Sequence, residues 1–239
     1  MKKTLLLSLS LMLGLTISAQ EVQWAKLITS TARDGIWETQ ISPTGDLLVL
    51  GFFEADLELD GEILQHEDNQ DFFLVDYTTA GELQWVIPFT GQNFDRGDCL
   101  TFDEDGNIFL GAVFTESIQV PGGTISGNDV ADVLLMAFQP DGDLGWEYHF
   151  GGTSYDYCYG VYVGGNELLA VGHFNETVDF GFGDVTSEGQ QDMWLMSLKT
   201  TNGQPNWVKT FGGDVQDRLY SVVKDPDGNI IVCGYFGGT

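Results

Sequence analysis

An all-β fold of repeated four-stranded units, a β-propeller, is what this 239-residue sequence predicts, and three observations carry the prediction. Tryptophans at Trp24, Trp85, Trp146 and Trp207 recur at one constant interval of sixty-one positions, the mark of internal duplication. Aspartates Asp34, Asp95, Asp156 and Asp217 follow them at a constant ten residues. Between these markers, short runs of β-branched and aromatic residues alternate with Gly, Asp, Asn and Pro, and beyond the leader no window keeps a helical period. Antiparallel four-stranded units of this length pack around an axis as propeller blades. The coils of a parallel β-helix, the main structural rival, are much shorter.

The first element in order is that leader. Lys2 and Lys3 precede an apolar run from Leu5 to Ile17 and then the small residues Ser18 and Ala19, which reads as a signal peptide over residues 1–19. The repeats then divide the chain into 20–84, 85–145, 146–206 and a shortened fourth unit at 207–239. No later stretch is apolar for the roughly 18 residues that a membrane helix needs, so the expectation is an exported protein, secreted, at the cell surface or periplasmic. Nine basic residues against 36 acidic ones give a net charge of −27. A field of that sign repels nucleic acid and anionic lipid.

Within the second unit, Trp85–Phe89 reads as a first strand, Cys99–Phe102 as a second, Asn107–Phe114 as a third and Asp132–Phe138 as a fourth. Asp103-Glu-Asp-Gly106-Asn and Asp225-Pro-Asp-Gly228-Asn place glycine where a hairpin needs positive φ, beside side chains that bond nearby backbone. Ser42-Pro-Thr-Gly45-Asp does the same in the first unit, and Gly164-Gly165-Asn departs from the pattern in the third. The glycines inside apolar strands, Gly51, Gly111 and Gly234, predict a bulge or a close backbone approach. An indole between adjacent sheets buries about 150–250 Å², up to roughly 4–6 kcal/mol, so the repeated tryptophans read as packing between blades. Exposed indoles that stack on sugars are the functional alternative.

The chemistry-bearing residues form no catalytic constellation. Counted from Asp103, Gly106 is fourth and Phe114 twelfth, so this is not an EF-hand loop. The hairpin reading is preferred, with a short surface calcium site at Asp103 and Asp105 as the remaining metal reading and no other cofactor evident. Cys99, Cys158 and Cys233 fall at unrelated phases of the repeat and read as separate buried thiols. His66, His149 and His173 also share no phase. The four repeated aspartates read as turn stabilisers, because catalysis needs one asymmetric site. The residues that break the repeat are better candidates for recognition: Arg96, Arg218, Tyr155, Tyr157 and Tyr159, since Arg and aromatics are favoured on binding surfaces. Against that stands a structural reading in which the arginines pair with neighbouring acids and the tyrosines pack between blades.

Trp207-Val-Lys-Thr-Phe-Gly-Gly213, Asp217 and Pro226-Asp-Gly-Asn-Ile-Ile-Val-Cys-Gly-Tyr-Phe236 compose a pattern, matched also by Trp146–Gly152. It resembles the SBBP-type β-propeller repeats of secreted proteins from Bacteroidetes-like bacteria, and the likeness covers nearly the whole chain after the leader. The resemblance implies an exported propeller and no particular active site. The Gly-x-x-x-Trp ending each unit also looks like the tryptophan-docking motif of quinoprotein-type propellers, though their cofactor ligands are not matched. The fourth unit stops at Phe236-Gly-Gly-Thr239, where the first continues from Phe53 into Glu54–Leu59. About three and a half blades leave the ring incomplete, so the expected partners include further blades of a longer chain or a second copy. The function expected is a non-enzymatic binding or scaffold module for protein or glycan. The alternative is a secreted carbohydrate-active hydrolase or lyase on the same scaffold.

Overall fold

The computed structural model describes residues 23–237, and the leader expected at 1–19 lies outside the described residues. Every regular element among them is a strand, and no helix there is long and apolar enough to cross a membrane. Strands β1 (Asp34–Ile41) and β2 (Leu47–Phe53) are followed by a short hairpin of β3 (Leu57–Leu59) and β4 (Glu62–Leu64), then by β5 (Asp71–Tyr77) and β6 (Leu83–Gly91). The long strands β1, β2, β5 and β6 pair antiparallel in that order. The arrangement repeats. A second meander comprises β7 (Arg96–Phe102), β8 (Ile108–Val120), β9 (Gly123–Phe138) and β10 (Leu144–Phe150), and here the small hairpin is absorbed into the far ends of β8 and β9. The third consists of β11 (Tyr157–Gly164), β12 (Glu167–Phe174), β15 (Asp192–Lys199) and β16 (Pro205–Phe211), with the hairpin of β13 (Thr177–Asp179) and β14 (Asp184–Thr186) between its middle strands. A last pair, β17 (Asp217–Lys224) and β18 (Ile230–Phe236), completes the described chain.

The sequence repeat and the sheets are out of phase by one strand. Trp85 lies opposite Asp76 on β5, so the strand that opens the second sequence unit is the last strand of the first meander. Trp146 and Trp207 likewise stand on β10 and β16, the outermost strands of their sheets.

The central strands are apolar on both faces, and the reason is visible in the core. Leu48, Leu50, Phe72 and Leu74 pack with Leu110, Leu134 and Met136 of the second meander. The alternating residues Phe109, Val133 and Leu135 turn the other way, onto Leu168, Ala170, Trp194 and Met196 of the third. A sheet covered on two sides by its neighbours requires near-continuous hydrophobic strands in place of an in–out alternation.

Tryptophan fixes these contacts at one end. The indole N–H of Trp24, Trp85 and Trp146 donates to the backbone carbonyl of Thr79, Pro140 and Thr200 respectively, at 3.0, 3.2 and 2.7 Å. Each ring lies over the glycine four residues before the next tryptophan. A Cβ on Gly81 or Gly142 would come within 2.7 or 3.0 Å of that ring, and one on Gly203 would come closer still. The contacts of Trp85 with Gly142 and of Trp146 with Gly203 therefore lock the last strand of one meander onto the next meander.

The strand glycines meet both expectations at once. In each of the three meanders, the first two of which join into one sheet through a short β6–β8 pairing, and in the β17–β18 pair, the first strand bulges beside the glycine of its partner: at Ile36/Glu38 next to Gly51, Gly97/Cys99 next to Gly111, Cys158/Gly160 next to Gly172, and Leu219/Ser221 next to Gly234. A Cβ at Gly172 or Gly234 would collide with the backbone carbonyl of Tyr157 or Arg218 on the bulged strand.

The repeated aspartates tie loops to sheets. Asp95, Asp156 and Asp217 are fully buried and accept backbone N–H groups about twenty residues downstream, from Thr115, Asn175 and Gly237. Asp34, in the first unit, accepts from the Ser30 N–H. A second series, Asp71, Asp132 and Asp192, accepts the backbone N–H groups of Glu67, Asn128 and Glu188 in the same manner.

Candidate functional site

One residue of each bulged strand is squeezed out of register: Trp37, Asp98, Tyr159 and Tyr220. Two positions earlier on the same strands stand Gly35, Arg96, Tyr157 and Arg218. A bulge turns an extra side chain away from the ladder, and the bulged strands β1, β7, β11 and β17 lie beside one another in succession. Side chains of these two columns therefore gather in one place. The result is a cavity of about 500 Å³ lined by Arg96, Tyr155, Tyr157, Tyr159, His173, Gln191, Arg218 and Tyr220. All five recognition candidates taken from the sequence meet there.

Three rings in this cavity, those of Tyr157, Tyr159 and His173, are stacked. Tyr157 and Tyr159 lie 5.8 Å apart at 16°, Tyr157 and His173 5.2 Å at 15°, and Tyr159 and His173 5.5 Å at 29°. Three mutual distances this similar describe a compact triangular cluster, since the outer members of a column would stand about twice as far apart. Tyr220 extends the patch, 5.3 Å from Tyr159, and Tyr155 projects outward at 55% exposure.

The two arginines are held differently. Arg96 pairs with Asp98 at 2.7 Å and lies 5.5–5.7 Å from the ring centres of Trp37, Phe94 and Tyr157, a guanidinium braced by aromatic faces. Arg218 donates its Nε–H to the Gln191 side-chain oxygen at 2.6 Å. Thus the pairing of arginine with acid holds for Arg96 and fails for Arg218.

Burial shifts the titration of the other groups. The Tyr159 hydroxyl is pushed up to about 12 by desolvation, with Arg218 opposing, and Tyr157 is raised for the same first reason. His173 is driven down to about 3, first by burial and then by the Arg218 charge. Asp98 rises to about 7 because its desolvation outweighs the attraction of Arg96. His173 is 1% exposed, and neither ring nitrogen has a hydrogen-bond partner. A neutral imidazole of that kind is a poor general acid at neutral pH, and its one donor and one acceptor are closed off from solvent.

The metal candidates lie elsewhere. Asp103 accepts from the backbone N–H groups of Asp105 and Asn107 and from the Asn107 amide, a hairpin turn repeated at Asp225. Asp103 and Asp105 border a second cavity of about 630 Å³, formed by turns of the second and third meanders and lined by no basic residue. Among the described residues no group of three or more His, Cys, Asp or Glu is disposed to hold a metal ion.

Cys99 and Cys158 are buried thiols, as the sequence leads one to expect, and Cys233 is not. Cys99 and Cys158 stand on the neighbouring strands β7 and β11, with their sulfurs 3.9 Å apart in the core. A Cβ on Gly111 would fall 2.7 and 2.8 Å from them, so that glycine makes the room. Cys233, expected to be buried like Leu50, is exposed, because β18 pairs only with β17 among the described strands.

Sequence reasoning missed Trp37, Asp98, His173, Gln191 and Tyr220. The signal for three of them was present: the position thirteen residues after each tryptophan reads Trp37, Asp98, Tyr159, Tyr220, a column too varied to be core. His173 could have been found only with the sheet register, which sets it opposite Tyr157. In sequence comparison no family model matches the chain, and no curated protein matches it.

Proposed function

We propose that the chain is an exported β-propeller module whose four-stranded blades repeat with the tryptophan period, and that it binds a glycan in the cavity between Arg96 and Arg218 without turning it over. The propeller reading is supported by three meanders of one strand order and by the tryptophan locks between successive meanders. Export is supported by the leader pattern and the likeness to SBBP-type repeats.

The observation that carries the binding assignment is the composition of the cavity. Two of the chain's nine basic residues meet stacked aromatic rings there, and among the described residues no acidic side chain lines it, Asp98 being held on Arg96 beside it. Glycoside hydrolysis ordinarily employs two carboxyl groups roughly 5–10 Å apart across the bond that breaks, and this lining supplies none. Aromatic faces, tyrosine hydroxyls and fixed guanidinium donors suit the alternating C–H faces and hydroxyls of a sugar, in a volume fit for a small ligand. A protein partner would more usually take a broad, flat contact.

The test is calorimetric titration of the purified chain with defined neutral and acidic oligosaccharides, with product analysis of the same mixtures. Saturable binding with no product, weakened about tenfold by Tyr159→Ala, is expected from the loss of an aromatic contact. Release of shortened sugars would favour the hydrolase or lyase alternative instead.

A further inference from the structure

We infer that the cavity is built to seat the carboxylate of an acidic sugar on Arg218, so that the glycan bound is a uronic acid polymer; this rests on the glycan-binding reading above. Arg218 is the exception among the three arginines. Arg33 and Arg96 each pair with a carboxylate, whereas Arg218 forms no ion pair among the described residues, in a chain of net charge −27. Its Nε is fixed by Gln191, which holds the guanidinium plane while leaving both terminal amino groups uncommitted. A planar pair of N–H donors fixed in orientation is the natural partner of a carboxylate, which it engages through two parallel hydrogen bonds.

A second observation points into the same cavity. His173 sits where the partners of the other three bulged strands carry apolar or aromatic residues: the residue paired with Arg96 is Val113, with Arg218 Tyr235, and with Gly35 Phe52. A buried polar ring with two unpartnered nitrogens costs stability unless something bonds to it. Among four equivalent positions the polar substitution falls where the wall faces Arg218 and the tyrosines. Both nitrogens are closed off beside the Tyr157 and Tyr159 rings, so sugar hydroxyls would reach them only as those rings shift aside to admit the sugar whose carboxylate engages Arg218. A free small acid would leave His173 unbonded.

The experiment uses the whole chain and a panel of tetrasaccharides of galacturonic, glucuronic, mannuronic and guluronic acid, each beside its carboxyl-reduced neutral counterpart. At least one uronate is expected to bind about tenfold or more tightly than its reduced form, with affinity falling as salt rises. Arg218→Gln is expected to erase that preference while sparing any residual binding of the neutral sugar, and Arg218→Lys to restore part of it, since charge returns without the fork. Thermal melts of both variants separate loss of binding from loss of fold. Equal binding of uronate and neutral forms, or an unchanged preference in Arg218→Gln, would overturn the carboxylate assignment and leave the glycan reading standing. If none of the eight sugars binds, both readings fall.

Discussion

At the residue scale, the aspartates decide how the molecule responds to pH. Asp95 is pushed up to about 8, Asp98 to about 7 and Asp156 to about 7, in each case chiefly by burial. A carboxyl whose folded pKa exceeds its unfolded value near 4 binds a proton on folding. Its contribution is complete below the unfolded pKa and is lost as pH rises through the folded one. His173 acts in the opposite sense, but only below its unfolded value of 6.5. Between pH 8.5 and 6.5 the aspartates therefore act without it, and the melting temperature is expected to rise as pH falls across that window. For a chain of this size about 1 kcal/mol corresponds to roughly 2–4 °C. Asp95→Asn, a neutral stand-in that can still accept the Thr115 N–H, is expected to flatten the slope while keeping the fold. Scanning calorimetry across the window checks both, and an unchanged slope in the variant would show that Asp95 is charged in the native state. Such a role was legible in part: a residue repeated in every unit reads as structural. The second series, Asp71, Asp132 and Asp192, was not, because its second step is one position shorter than its first, and a single deletion hides it from a fixed-period comparison.

At the scale of elements, the tryptophan lock carries the contact between successive meanders. Gly203 has φ +67°, and a Cβ there would run into the Trp146 ring. Gly203→Ala thus combines a left-handed backbone with overpacking and is expected to cost about 2–3 kcal/mol. Trp146→Ala, which empties the lock, is expected to cost about 3–5 kcal/mol. In the double variant the added methyl has no ring to meet, so its loss should fall clearly below the sum of the two, a coupling that denaturant titration of the four proteins measures. If the losses simply add, the indole does not rest on the glycine in solution. Gly-x-x-x-Trp was readable in sequence as a packing motif, but not which tryptophan sits on which glycine: that pairing spans more than fifty residues. The same limit explains the strand order. Trp85 begins a repeat in sequence yet ends a meander in space, since hydrogen-bond register, not periodicity, assigns β6 to β5. Tyr157, Tyr159 and the two arginines were found because they break the repeat; their meeting in one cavity depends on bulges that no local pattern of apolar residues reveals.

At the scale of the whole molecule, two opposed forces act on association. The strand β2, in the first meander, lies between β1 and β5 and is buried along most of its length. Its counterpart β18 pairs only with β17 among the described strands and shows Ile231, Tyr235 and Phe236 at 51, 53 and 57% exposure. An apolar sheet edge that no described strand covers is a template for another strand, whether a following one of a longer chain or one of a second copy. Against it stands the net charge of −27, which makes any two copies repel over roughly 10 Å at 0.1 M salt and over much less at 1 M. The chain is therefore expected to run as a monomer in dilute buffer and to self-associate as salt rises, the reverse of an assembly held by ion pairs. Light scattering on a sizing column at low and high salt checks this. Ile231→Lys with Tyr235→Lys should abolish the salt-driven species, because charges on an edge strand must be desolvated before another strand can pair with it. A species that persists in the double variant would place the contact elsewhere, and one that dissolves with salt would mean that charge complementarity, not the apolar edge, holds the copies together.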